Sequence, residues 1–127
     1  MKDLITASLI LFLLLGGWMI FLYYADLQGQ NLIDSIKEDI LPNIETGQWD
    51  SVQVQMKSLN ERWHKFRGAA LYFFHTETIN TIDYSLARAM KYAAAEDNSN
   101  AAGELNSMIE QLSFLTANEK LTMRNLF

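Results

Sequence analysis

The amino-acid sequence predicts an all-α protein, in which an N-terminal transmembrane helix precedes a small antiparallel helical bundle of about four helices. Three observations predict this fold. Residues 4–25 form an uncharged apolar run. In four later stretches, apolar residues recur at intervals of three and four, which is the spacing of one helix face. No stretch shows the sustained alternation of a half-buried strand. Two stacked helical hairpins are one arrangement of these four helices.

The first element is the apolar run. Its 22 residues would measure about 33 Å as a helix, and a hydrocarbon core is about 30 Å thick. A cleaved signal peptide and a buried core helix are the alternatives. The run is long for the first and lacks a small-residue cleavage site, and a domain of this size rarely buries so many uncharged residues. We therefore expect a transmembrane anchor over residues 1–26, which contacts the lipid bilayer through residues 4–25, and a helical domain over residues 27–127.

The charges beside this run predict its orientation. The N-terminal side has the α-amino group and Lys2, whereas the next 15 residues after the run include only Lys37 among four acids. Because cytoplasmic flanks are enriched in Lys and Arg, we expect a cytoplasmic N-terminus and an extracytoplasmic helical domain.

The second element, which is the first of the four helical stretches, covers residues 27–46. Pro42 is expected to kink this helix, because proline has no backbone N–H to donate. Gly29 is expected to loosen its join to the transmembrane helix, and Thr46-Gly47 is expected to end it. Whether it is a stalk or a member of the bundle is open. Its apolar positions are Leu32, Ile33, Ile36, Ile40 and Ile44.

Three further helices follow, and each has one apolar stripe. The second stretch includes Val52, Met56, Leu59, Trp63, Phe66, Ala70 and Phe73. The third, over residues 76–95, includes Ile79, Ile82, Leu86, Met90 and Ala93. The fourth, over residues 99–118, includes Ala101, Leu105, Met108, Leu112 and Leu115. Thr76 or Thr78 is the expected N-cap of the third helix, and Asn98 or Ser99 that of the fourth. The tail, residues 119–127, is expected to be docked.

A faint internal repeat relates the second and fourth stretches. At an offset of 49 residues, five apolar positions beginning at Val52 fall on five beginning at Ala101. Two helical hairpins of similar design would produce this agreement, and so would any two amphipathic helices.

Composition and charge exclude several classes of protein. The chain has no Cys, which excludes disulfide scaffolds and thiolate metal sites. Its net charge of -5 argues against a nucleic-acid partner, because phosphate binding needs a basic surface. The cations of residues 51–71 lie between two acidic segments, which favours intramolecular pairing; contact with anionic lipid or an acidic partner is the alternative.

Few residues form a pattern that is typical of catalysis or metal binding. His75 and Glu77 are two apart, so on a helix they do not face each other and form a poor zinc pair. His64 would share a face with His75 only if one helix carried both. We expect His75 and Glu77 at the junction of the second and third stretches, where they cap helix ends or bond to a neighbouring chain. No metal site, cofactor site or catalytic motif is predicted.

Four more residues are expected to shape the domain. Asp83 and Arg88 lie on the third helix and are expected to form an ion pair with Glu61 or Glu77 across the bundle. Trp49 and Trp63 fit core or hairpin packing better than ligand stacking.

The order of several motifs resembles a family of small bacterial membrane proteins, the domain-of-unknown-function family numbered 4363. The motifs are Gly47-Gln48-Trp49, Trp63, Phe74-His75-x-Glu77-x-Ile79, Leu86-Ala87-Arg88, Glu104-Leu105 and Glu119-x-Leu121-x-x-x-Asn125-Leu126-Phe127. Through the last of these motifs, Asn125 joins the candidate interaction residues. The resemblance implies a membrane-anchored helical domain in the bacterial cell membrane and implies no known activity.

Two functions agree best with these observations. The first is a non-catalytic, membrane-anchored interaction or scaffolding subunit, whose partner is another membrane protein or a second copy of the chain. The second is an extracytoplasmic sensor or small-ligand-binding domain that acts through a partner. A hydrolase that uses His75 and Glu77 is the third and least supported hypothesis.

Overall fold

Four helices make up the computed structural model, which describes residues 1–72 and 74–126, with side chains described up to residue 115. Helix α1 spans Lys2–Glu45, α2 spans Trp49–Ala70, α3 spans Thr76–Ala94 and α4 spans Asn98–Leu126. No strand occurs among the described residues. The predicted all-α fold, a long apolar N-terminal helix followed by a helical bundle, is confirmed.

Helix α1 has two halves that differ in burial. Residues 2–24, the apolar half, have no buried side chain, and this is the one described helix long and apolar enough to cross a membrane. Residues 25–45, the bundle half, have a buried stripe that begins at Ala25 and ends at Ile44. The helix predicted over residues 27–46 is therefore a bundle member that continues the apolar helix. Its core face packs against α2 and α4.

The junction between the halves is helical throughout. Gly29 is buried inside α1, so the prediction that it loosens the join is wrong. Packing on the bundle outweighs the modest helix penalty of one glycine, which is about 1 kcal/mol.

Pro42 is accommodated by a change of helix type. A π-helical segment, Ser35–Ile40, precedes the α-helical residues Leu41–Glu45, and the backbone N–H of Leu41 donates to the carbonyl of Ile36. Proline cannot donate to the carbonyl four residues earlier, and its ring crowds that carbonyl. Hydrogen bonds that reach five residues back relieve this conflict. They also place more residues in each turn, which keeps Ile36, Ile40 and Ile44 on the buried face despite their spacing of four.

The turns after α1 and after α3 have the same geometry. Gly47, just beyond the end of α1, has φ 73°, and Glu96, just beyond the end of α3, has φ 54°. In both, the next residue donates to a carbonyl five residues back, from Gln48 to Asn43 and from Asp97 to Tyr92. This is the Schellman arrangement, and it confirms the predicted stop at Thr46-Gly47. Positions 47 and 96 are 49 residues apart, which is the offset of the apolar repeat.

Most of the predicted apolar stripes are buried. All five stripe residues of α4 are buried, as are the stripe residues of α2 up to Ala70; Phe73 lies outside the described residues. On α3, Met90 is only half-buried, and Ser85 and Ala89 fill the centre of the face instead. Small residues there allow the close approach of α3 and α4. Each of α2 and α4 packs against both α1 and α3, and successive helices run antiparallel.

The predicted helix ends are partly wrong. His75, not Thr76 or Thr78, is the N-cap of α3, and its side chain makes no capping bond. Asp97 caps α4 instead of Asn98 or Ser99, because its Oδ1 accepts the backbone N–H of Asn100 at 3.3 Å. Helix α4 also continues past residue 118 to Leu126, since no glycine or proline stops it there. Whether the tail is docked lies outside the described side chains.

Candidate functional site

The carboxylate of Asp83 joins α3 to α2. Its Oδ1 accepts the indole Nε1–H of Trp63 at 2.6 Å, and its Oδ2 accepts the Nε–H of Arg67 at 2.7 Å. Trp63 and Arg67 are four residues apart on α2, so they lie on one helix face and reach the same acceptor. Both carboxylate oxygens are thus engaged in charge-assisted bonds, which makes Asp83 a structural clamp.

The expected partners of Asp83 and Arg88 are wrong. Asp83 pairs with Arg67, and Arg88 donates from Nε to Oε1 of Glu104 on α4 at 2.9 Å. The hydrogen bond to Glu104 is the main reason that the pKa of Arg88 lies above its ordinary value. Because the Arg88 side chain is half exposed, this pair is a surface contact of small energy.

The two candidate tryptophans serve packing. Trp63 is fully buried, and its ring centre lies 5.9 Å from that of Phe66. Trp49 begins α2 and is half-buried against the core, next to the first hairpin turn. Both positions agree with the predicted packing role.

His75 and Glu77 lie where they were expected, at the junction of α2 and α3. Both side chains are exposed. Helix α2 ends at Ala70, so His64 and His75 do not share one helix. Asn125 falls in the last turn of α4, and its side chain is outside the described residues. These placements leave Glu77 as the candidate that borders a concave surface.

That surface is a groove of about 430 Å³ between α3 and α4, which we call the α3–α4 groove. Its lining residues are Glu77, Thr78, Thr81, Glu110, Gln111 and Phe114. Phe114 is 61% exposed, although the other large apolar side chains described on α4, up to Leu115, are buried. The groove therefore combines an exposed aromatic ring with polar walls.

Hydrogen-bond acceptors dominate the polar walls. Glu77 and Glu110 each bring a carboxylate, and the buried Oε1 of Gln111 has no hydrogen-bond partner. The hydroxyl of Thr81 donates to the backbone carbonyl of Glu77 at 2.9 Å, so its proton is already used. An acceptor-rich surface of this kind is complementary to N–H donors and cations.

Sequence reasoning missed the groove and two links between helices. Gln53 donates to the carbonyl of Ala93 at 2.8 Å, and Asn98 donates to the carbonyl of Ile44 at 3.0 Å. Phe114 was the available signal, because it is a large apolar residue outside the α4 stripe. The links had no signal, since they depend on how neighbouring helices are rotated against each other.

The fold and these sites define a class of protein: a small antiparallel four-helix bundle built onto one long, apolar N-terminal helix. Among the described residues, no three His, Asp or Glu side chains come together as metal ligands.

Residues 21–126 match the model of the family described as Domain of unknown function (DUF4363), and the chain belongs to this family. The resemblance seen in the motifs is thereby confirmed. No curated protein and no solved structure matches the chain.

Proposed function

We propose that this protein is a membrane-anchored interaction or scaffolding subunit with no catalysis of its own. One observation carries the proposal: the exposed apolar half of α1 continues without a break into a helix that is part of the bundle core. A continuous helix of this kind would hold the bundle in a fixed position at the surface of a bilayer. Such a device suits a protein that presents a surface to a neighbouring membrane protein.

The α3–α4 groove is the docking surface in this proposal. Phe114 offers an apolar contact, and Glu77 and Glu110 offer negative charge beside it. The complementary partner is a membrane-protein segment that presents Lys or Arg next to an apolar side chain. The carboxylates of Glu77 and Glu110 would orient the partner and raise its association rate, and the Phe114 ring would contribute buried apolar area.

The hydrogen bonds of the bundle support a non-catalytic role. Asp83, Arg67 and Arg88 are all engaged in bonds between helices. His75 and Glu77, the pair considered for hydrolysis, are exposed on the surface. A variant with both His75→Ala and Glu77→Ala tests this pair. Loss of function in the variant would support a role for these two residues, and full function would contradict the hydrolase hypothesis.

Photo-crosslinking in living cells tests the docking surface. A photoreactive residue at Phe114 is expected to form an adduct with one membrane protein, and the same residue at Val54 is expected to form none. Val54 is a matched control because it is 71% exposed on α2, outside the groove. The adduct should disappear in a Glu77→Lys, Glu110→Lys variant. Equal labelling at both positions, or an adduct that survives charge reversal, would contradict the proposal.

The orientation in the proposal is a cytoplasmic N-terminus and an extracytoplasmic bundle in the bacterial cell membrane. Lys2 and the acids that follow the apolar run support it through the positive-inside rule. The chain has no Cys, so Ser99→Cys at the exposed start of α4 provides a single labelling site. A membrane-impermeant maleimide should label this variant in intact cells. Labelling only after lysis would place the bundle in the cytoplasm.

A small-ligand sensor is the second candidate, and the acceptor-rich walls of the groove support it. Its volume of about 430 Å³ is within the range of small-molecule sites, about 300–1,000 Å³. Cationic and amide-bearing small molecules are the matching ligand class. A ligand that raises the melting temperature of the protein, but not that of the Glu77→Lys, Glu110→Lys variant, would favour this function over scaffolding.

A further inference from the structure

The loop between α2 and α3, described at residues 71, 72, 74 and 75, lies beside the apolar half of α1. The ring centre of Phe74 is 6.1 Å from that of Phe21, and the ring of Phe66, near the end of α2, is 6.4 Å from that of Tyr24. Phe21 belongs to the uncharged run of residues 4–25. The α2–α3 loop is therefore held at the level of the apolar run and not above it.

The loop exposes apolar side chains at this level. Tyr72 is 86% exposed and Leu71 is 36% exposed, while Phe74 is buried against α1. Tyr23, on α1 at the same height, is also largely exposed. Tyrosine has an apolar ring and a polar hydroxyl, and it concentrates where membrane meets water. Leu71, Tyr72 and Tyr23 thus have the chemistry of an interfacial surface, and the exposed polar side chains of His75 and Glu77 lie close to the first two in the chain.

The length of the apolar run sets where the bilayer would end. A hydrocarbon core of about 30 Å spans about 20 helical residues, so a core that begins at Leu4 ends near Tyr23. The contact between Phe74 and Phe21 places the loop at this boundary. Helix α1 is continuous from the apolar run into the bundle, so no flexible linker lifts the bundle away from the membrane.

We propose that the α2–α3 loop docks into the headgroup interface of the bilayer, with Tyr72 and Leu71 as its lipid contacts. The bundle then stands directly on the lipid surface and is held there at two points, by α1 and by this loop. This inference rests on the membrane anchor of the proposed function, and the two can fail separately.

Fluorescent probes attached to single cysteines test this docking. The full-length variants Tyr72→Cys, Phe12→Cys and Val54→Cys each carry an environment-sensitive fluorophore in phosphatidylcholine–phosphatidylglycerol vesicles. Phe12 is near the middle of the apolar run, and Val54 is an exposed residue toward the other end of α2. The vesicles contain lipids with a quencher either just below the headgroup or deep in the acyl chain. All three side chains are exposed, so the substitutions leave the core intact.

We expect the probe at position 72 to emit at shorter wavelength than the probe at position 54 and to lose most of its emission to the shallow quencher. The probe at position 12 should respond mainly to the deep quencher. If position 12 responds and position 72 behaves like position 54, the loop proposal is overturned while the anchor stands. If position 12 does not respond to either quencher, the anchor itself is wrong.

Discussion

Asp83 joins α3 to α2 through both oxygens of its carboxylate. Its two oxygens accept bonds from Trp63, which is fully buried, and from Arg67, which is 28% exposed at its side chain. Removing the carboxylate leaves a buried N–H without an acceptor, and such a group costs about 1–3 kcal/mol.

We therefore predict that Asp83→Ala lowers the free energy of unfolding by about 2–3 kcal/mol, because it loses both bonds and strands the indole N–H. Denaturant unfolding followed by circular dichroism measures the change. Glu104→Ala is the matched control, since it breaks a more exposed ion pair whose loss costs about 0–1 kcal/mol. Equal losses in the two variants would refute the role given to Asp83.

At the same scale, most of the residues in the core were predictable, but the polar contacts between helices were not. The stripes containing Trp63 and Leu105 follow from helical spacing alone. The partner of Asp83 depends on the rotation of α3 against α2, which spacing along one helix does not determine. For the same reason, Arg88 forms its ion pair with Glu104 and not with Glu61 or Glu77, the predicted partners.

At the scale of single elements, the ends of α1 and α3 show one turn geometry with two different residues. Glycine adopts a positive φ without penalty, whereas other L-residues pay about 1–2 kcal/mol in the left-handed region. Gly47 suits its turn, and Glu96 is strained in the equivalent position.

Substitutions at these two positions should act in opposite directions. Glu96→Gly is expected to raise the free energy of unfolding by about 0.5–1 kcal/mol, after the entropy of glycine in the unfolded chain is subtracted. Gly47→Ala is expected to lower it by about 1 kcal/mol, although a Cβ at this position would meet no neighbour. The same denaturant titration measures both. Destabilisation by Glu96→Gly would show that the Glu96 side chain makes a larger contribution than its backbone strain.

The elements also show which features of a helix can be predicted from the sequence. The stop at Thr46-Gly47 was predicted because glycine marks it. The π-helical segment Ser35–Ile40 was not, because Pro42 indicates a disturbance but not its form. The continuity of α1 through Gly29 was missed because tertiary packing outweighed a weak local preference.

At the scale of the whole molecule, the core begins at Ala25. The apolar half of α1 brings no buried residue to it, and the bundle half brings six hydrophobic residues. The buried residues of the bundle half are Ala25, Leu32, Ile33, Ile36, Ile40 and Ile44. Five of these are Leu or Ile, and burying each is worth about 1.5–3 kcal/mol before the entropy cost of folding is subtracted, so α1 supplies a large share of the apolar burial in the core.

Two truncations should therefore behave differently. A chain of residues 25–127 is expected to stay helical and to unfold cooperatively on heating, as the domain boundary near residue 26 predicts. A chain of residues 46–127 is expected to lose cooperative unfolding, because α2 and α4 would expose the faces that α1 covers. Circular dichroism during heating measures both. A cooperative transition in the shorter chain would mean that α1 is only a stalk.

The most direct test of the membrane anchor is the intact mass of the native protein recovered from cell membranes after an alkaline carbonate wash. The account predicts that the chain stays in the washed membranes and has the mass of the uncleaved sequence. Recovery in the wash, or a mass that lacks the apolar N-terminal run, would contradict the anchor and favour a cleaved signal peptide.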